Sequence, residues 1–242
     1  MQHNWFVSWF DTSYYHTLYK HRDNSEASLF IDTIVDFLKL PQQASCWDLC
    51  CGKGRHSIYL NKKGFKVIGT DLSEQSIIEA TKSANTSLDF YTQDMRTLFR
   101  TNYFDVVFNL FTSFGYFDKQ TDDEKVFDSV YKSLKPNGIF VFDFLNGQYV
   151  KNNLTCKAEQ TIDGITFNIT KELQNNTIVK SIDFTDNNKE FHFEERVKLF
   201  DLAYFKLLAQ KAGFTIIHQF GNYKLENFEL QASPRLILVL KK

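Results

Sequence analysis

The chain has 242 residues, 43% hydrophobic and 24% charged, with three prolines. That mixture suits one packed α/β domain carrying an insertion and excludes a disordered or collagen-like chain. A formal net charge of −1 offers no broad positive field, so nucleic acid is not an expected partner. The start Met1-Gln2-His3-Asn4-Trp5 lacks the basic and apolar regions of a secretory signal, and no segment reaches membrane-spanning length. The expected setting is the cytoplasm, away from membranes. Cys46, Cys50, Cys51 and Cys156 lack zinc-site spacing, so they are expected as buried reduced thiols and no metal is expected.

An aromatic stretch, Trp9 to Arg22, precedes the first core helix. Ser45 to Cys50 reads as a short buried strand, broken by Cys51-Gly52-Lys53-Gly54, with a helix expected from Arg55 to Lys62. Gly64 ends that helix and Phe65 to Thr70 forms the next strand, closing on Asp71. Ser73 is a helix N-cap, and strands follow near Leu88 to Tyr91 and from Asp105 to Leu110. Thr121 to Leu134 reads as a helix, Lys135-Pro136-Asn137-Gly138 as a turn, and Ile139 to Phe144 as a fifth strand. Repeated strand and helix units predict a doubly wound, mostly parallel sheet.

After Asn146 the pattern changes. Ile165, Phe167 and Ile169 alternate with polar residues, and Asp163-Gly164, Asn175-Asn176 and Asn187-Asn188 supply turn chemistry. Residues 158–200 therefore read as an inserted antiparallel sheet, a lid or a dimerisation subdomain. The core is 1–157 plus 201–242, with 1–24 as an N-terminal cap. Asp201 caps a helix ending before Gly213, and Phe214 to Phe220 and Leu236 to Leu240 are the last two strands.

The main functional signal is Asp48-Leu49-Cys50-Cys51-Gly52-Lys53-Gly54 between a strand and a helix, with Asp71 at the tip of the next strand. Glycines let a ligand approach the backbone, a helix start presents free N–H groups, and a carboxylate has two oxygens for a ribose diol. These residues describe a nucleoside-binding crevice. A nicotinamide-dependent oxidoreductase also needs such a loop, and Gly52-Lys53-Gly54-Arg55-His56-Ser57 partly mimics its fingerprint, with Ser57 at the third glycine position.

The segment resembles motif I of class I S-adenosylmethionine-dependent methyltransferases, with Cys50 in place of the first glycine. Asp71-Leu72-Ser73 resembles the ribose motif of that family, Gln93-Asp94-Met95 its adenine loop, and Leu134 to Gly138 the turn before its fifth strand. The resemblance implies a seven-stranded Rossmann-like sheet and S-adenosyl-L-methionine as cofactor. It implies cofactor contacts from Tyr19, Arg22, Asp48, Cys50, Gly52, Gly54, Asp71, Leu72, Asp94, Met95 and Leu110. A non-catalytic sensor of the same cofactor stays open as an alternative.

The loop Asn109 to Phe117 is similar to that of glycine N-methyltransferase and the amino-sugar N,N-dimethyltransferases, which implies a small-molecule acceptor and N- or O-methylation. Tyr116 stands where that group has a histidine. Its high ordinary pKa makes it a positioning residue rather than a base, unless it merely covers Phe114 and Phe117. Tyr14, Ser113, Tyr116, Phe144 and Asn146 are the expected substrate contacts, with Asp143 facing the same crevice. The aromatic N-terminal segment either folds over the cofactor or docks on the sheet. His56 reads as a cap or packing residue, and Arg235 as a solvated arginine. A homodimer is an open expectation.

Overall fold

The computed structural model describes residues 5–20 and 24–242. Five strands, β1 (Ser45–Leu49), β2 (Lys66–Asp71), β3 (Leu88–Thr92), β4 (Phe104–Asn109) and β5 (Leu134–Leu145), run parallel in one sheet. β10 (Thr215–Phe220) and β11 (Arg235–Lys241) complete it in the order β10-β11-β5-β4-β1-β2-β3, with β11 antiparallel to both neighbours. The order reverses between β1 and β4, and a crevice opens at the carboxyl ends of strands on either side of such a point.

Both faces of the sheet are covered, so its strands are almost continuously apolar. Side chains alternate by the period of two. In β11, Leu236, Leu238 and Leu240 join Phe127 of α6 (Gln120–Ser133) and Phe205 of α8 (Leu202–Ala212), while Ile237 and Val239 join Phe30, Ile31 and Ile34 of α3 (Asn24–Leu38). α4 (Arg55–Lys62) and α5 (Glu74–Thr81) pack on the second face through Leu60, Ile77 and Ala80. The expected turn at Lys135 to Gly138 lies within the bounds of β5. There Phe104 pairs with Leu134 and Val106 with Ile139, so the ladder carries an irregularity at Asn137, whose φ is +64°.

Beyond β5 the chain forms α7 (Gly147–Asn152), a short helix that the sequence reading lacks. It then builds a four-stranded antiparallel sheet, β6 (Lys157–Ile162), β7 (Ile165–Gln174), β8 (Thr177–Asp186) and β9 (Lys189–Lys198), paired in sequence order. Each connection is a two-residue turn with both φ positive, as the asparagines and Asp163-Gly164 allow. The sheet's apolar face, with Phe167, Ile169, Ile182 and Phe184, is covered by Trp9 of α1 (Trp5–Phe10) and Leu18 of α2 (Ser13–Leu18). The chain thus supplies its own cover for that face. Cys46 and Cys51 are buried and Cys50 half-buried, but Cys156 is exposed, since it precedes the edge strand β6. Among the described residues no helix is long and apolar enough to cross a membrane.

Candidate active site

The glycine loop is pinned from below. Cys51 N–H donates to Thr70 O at 2.9 Å, and Gly52 N–H donates to Asp71 Oδ2 at 2.8 Å. Asp71 Oδ1 takes the Ser73 N–H at 2.9 Å, so the carboxylate joins the tips of both strands. Burial raises its pKa while these backbone donors oppose the rise. Cys50 and Gly52 adopt φ of +64° and +54°, and a Cβ on Gly52 would meet no atom within 4 Å. Gly54, at +80°, caps α4 with its own backbone, and a Cβ there would fall 2.6 Å from the Phe90 ring.

Above the loop lies a cavity of about 1040 Å³. Asp71, Leu72, Asp94 and Met95 line one end of it. Arg96 grips Asp94 through Nε at 3.0 Å and Nη2 at 2.5 Å, and stacks over Phe117 at 4.7 Å. Burial alone would raise the Asp94 pKa, but the guanidinium outweighs it and holds the carboxyl below its ordinary value.

The N-terminal helices form the roof. Asp11 Oδ1 accepts from Ser73 Oγ at 2.7 Å and from Gln75 N–H at 3.1 Å, which fastens the cap to the start of α5. Trp9 Nε1 donates to Glu195 Oε1 at 2.8 Å and the Tyr19 hydroxyl to the same oxygen at 2.6 Å, which fastens it to β9. Lys180 of β8 bonds the Tyr19 oxygen and stands 3.6 Å from Glu195. His16 lines the same cavity. Burial, and then Lys53, lower its pKa to about 4, and its buried Nε2 has no partner among the described residues.

The loop after β4 forms the opposite wall. Phe111 and Thr112 take φ of +57° and +65°, two successive non-glycine residues in the left-handed region. Asp143 imposes this shape: its Oδ2 accepts the Phe111 N–H at 2.7 Å and its backbone oxygen the Thr112 N–H at 3.2 Å. Arg235 donates from Nε to Asp143 Oδ1 and from Nη2 to Thr112 Oγ1, each at 2.8 Å. Arg235 is thus a wall residue with 19% of its side chain exposed, not a solvated arginine. Tyr116 donates its hydroxyl to Thr112 O at 2.8 Å, and its ring meets Trp5 and Phe10 at 5.4 and 5.6 Å.

Of the sequence-predicted contacts, Tyr19, Cys50, Gly52, Asp71, Leu72, Asp94, Met95, Leu110, Ser113 and Tyr116 line the cavity. The others take different places. Asp48 is buried beneath the loop, accepting the Ser57 hydroxyl at 2.6 Å, and Gly54 packs against Phe90. Tyr14 faces away, bonding Asp186 Oδ2 at 2.9 Å and packing on Phe184 and Phe191. Phe144 is in the core against Phe142 and Phe205. Asn146 caps α7 and donates to Leu230 O and Ser233 O, both at 2.8 Å. Arg22 lies outside the described residues. Within the aromatic N-terminal segment, sequence reasoning does not single out Asp11 or His16, and it misses Glu195, Val197 and Tyr223, which reach the cavity from distant segments without a local motif.

Residues 47–138 match the family described as a methyltransferase domain. YqeM of Bacillus subtilis (strain 168), which carries a methyltransferase name, is 39% identical over 109 residues, 43% of each chain. A glycine/sarcosine N-methyltransferase of Parasynechococcus marenigrum (strain WH8102) is 33% identical over 128 residues, 51% of this chain and 45% of its own. These alignments span less than half the length of either relative. Over the whole fold, an S-adenosylmethionine-dependent methyltransferase from Clostridium acetobutylicum ATCC 824 superposes with a TM-score of 0.79 at 21% identity, covering 94% of this chain and 95% of its own. The sugar N-methyltransferase KedS8 from Streptoalloteichus sp ATCC 53650 gives 0.74 at 18% identity, covering 93% and 92%.

Proposed function

We propose that this chain, an S-adenosylmethionine-dependent methyltransferase by domain and fold, methylates a nitrogen or oxygen of a small molecule held between the β4 loop, the N-terminal helices and the inserted sheet. One observation carries the reading. A single cavity of about 1040 Å³ runs from Asp71 and Gly52 to Tyr116 and Glu195, so a nucleoside cofactor and an acceptor have room side by side under one roof.

The residues present suit the cofactor. Each Asp71 oxygen already takes one backbone donor yet keeps a lone pair for a ribose hydroxyl. The open space over Gly52 admits close approach to the backbone, and the buried His16 Nε2, without a partner among the described residues, is a polar atom left for a ligand to satisfy. Leu72, Met95 and Leu110 offer apolar surface to a base. When bound, S-adenosylmethionine supplies a methyl group already activated by the sulfonium charge. The protein's task is then placement, which can be worth about 7–11 kcal/mol. Trp5, Phe10 and Tyr116 form an aromatic wall that excludes water and presents ring faces to positive charge. Against the nicotinamide alternative, the third glycine position of its fingerprint holds Ser57, whose hydroxyl bonds Asp48 beneath the loop.

The test supplies purified protein with methyl-labelled S-adenosylmethionine and a fractionated metabolite extract. Label should move to a low-mass species. Tight cofactor binding with no transfer to any fraction would favour a sensor and overturn the enzymatic reading.

A further inference from the structure

A second chamber, of about 320 Å³, lies between α7 and the inserted sheet and shares Leu145, Glu195 and Val197 with the main cavity. Its size is at the lower end for a ligand site. Across its floor runs one cross-strand row: Lys171 of β7 pairs with Lys180 of β8, which pairs with Glu195 of β9. Like charges directly opposite one another on a sheet are destabilising. Here the row holds two ammonium groups and one carboxylate, and that carboxylate stands beside Lys180 at 3.6 Å and is already bonded by Trp9 and Tyr19. Among the described residues Lys171 makes no ion pair, while Ile178 gives the chamber an apolar side.

Given the methyltransferase reading above, on which this rests, we infer that the chamber binds the distal part of the acceptor, an apolar stem ending in a carboxylate or phosphate that Lys171 neutralises. The acceptor then spans both cavities past Glu195 and Val197, its reacting atom in the first and its anionic end in the second. Glu195 and Lys180 of this row also hold the roof through Trp9 and Tyr19, but Lys171 has no part in that, and an anion beside it completes the row's charge balance.

The experiment uses the full chain saturated with S-adenosylhomocysteine and two fluorescent probes, 1-anilinonaphthalene-8-sulfonate and its neutral relative N-phenyl-1-naphthylamine. Lys171→Glu should weaken the sulfonate by about tenfold, the worth of one charged contact, and leave the neutral probe within about twofold. Ile178→Trp, which fills the chamber, should weaken both. Hexanoate and hexyl phosphate should displace the sulfonate, and the stronger competitor identifies the anionic group. If Lys171→Glu leaves the sulfonate unchanged, or weakens both probes equally, the proposal is wrong. Should Ile178→Trp not fold, Lys171→Glu carries the test alone. S-adenosylhomocysteine affinity is read in parallel. Its absence in the unaltered protein strikes the methyltransferase reading, whereas its presence with unresponsive probes strikes only the second chamber.

Discussion

Asp143 and Arg235 form an ion pair at 2.8 Å, buried at its acidic end, and the second oxygen of Asp143 holds the Phe111 N–H at 2.7 Å. The Asp143 side chain is fully buried, whereas Arg235 borders the cavity. Removing one partner of a buried pair leaves the other's desolvation uncompensated, at about 3–5 kcal/mol. Arg235→Met should therefore cost about that much in urea denaturation. Asp143→Asn should cost less, because the stranded guanidinium can turn towards the cavity. Equal costs would contradict this asymmetry.

Gly52 and Gly54 predict opposite failures. In Gly54→Ala the new methyl would strike Phe90 at 2.6 Å on a φ of +80°, so folding should lose about 1–3 kcal/mol by overpacking on top of about 1–2 kcal/mol of backbone strain. In Gly52→Ala the methyl meets open space but on a φ of +54°, so stability should fall by only about 1–2 kcal/mol. Its larger effect should be on S-adenosylhomocysteine affinity, measured by calorimetry, because the backbone of Gly52 lines the cavity.

His56 predicts a pH dependence. Burial first, and the neighbouring Arg55 second, lower its pKa from 6.5 to about 3. Between those values the unfolded chain binds a proton that the folded chain refuses, so stability falls as pH falls, by about 1.4 kcal/mol per pH unit. His16, lowered to about 4, acts in the same sense. Asp48 and Asp123, each raised from 3.8 to about 6 by burial, act oppositely over that interval, since there the folded chain binds the extra proton. The four contributions offset one another between about pH 4 and 6. His56→Leu should break the balance, and its stability relative to the unaltered protein should rise as pH drops from 6.5 towards 5. A difference independent of pH would show that His56 takes up its proton in the folded chain as it does in the unfolded one.

The roof predicts exchange behaviour. Trp9 and Tyr19 bind Glu195, and Asp11 binds the start of α5, so the N-terminal helices bridge the inserted sheet and the cofactor half. If this bridge closes over ligands, amides of α1, α2 and β9 should gain hydrogen-exchange protection when S-adenosylhomocysteine binds. Full protection already in the free protein, together with a dimeric mass, would assign the sheet to assembly instead.

Much of this fold is legible in sequence because its signals are local. Ser73 and Asp201 cap their helices through N–H groups three residues on, and Gly213 ends α8 at a φ of +97°. Phe144 is near the strand tip, but its parity, not that position, sets its face and puts it in the core. It shares a face with Phe140 and Phe142, packed under α8, whereas Asp143 faces the β4 loop. Asn146 looked like a crevice residue because its partners, Leu230 O and Ser233 O, lie more than 80 positions away. Glu195 is set in the cavity wall by Trp9 and Tyr19, 186 and 176 positions away, a relation that no local pattern carries. Arg235 looked solvated because its acid, Asp143, comes from the neighbouring antiparallel strand.

The most direct measurement is a calorimetric titration of S-adenosylhomocysteine and NAD into the unaltered protein and into Asp71→Ala. S-adenosylhomocysteine alone should bind, weakened in the variant by about 1.5–3 kcal/mol, the worth of hydrogen bonds to a charged group. Binding of NAD in its place, or an Asp71→Ala protein that folds and binds S-adenosylhomocysteine with unchanged affinity, would contradict the cofactor assignment.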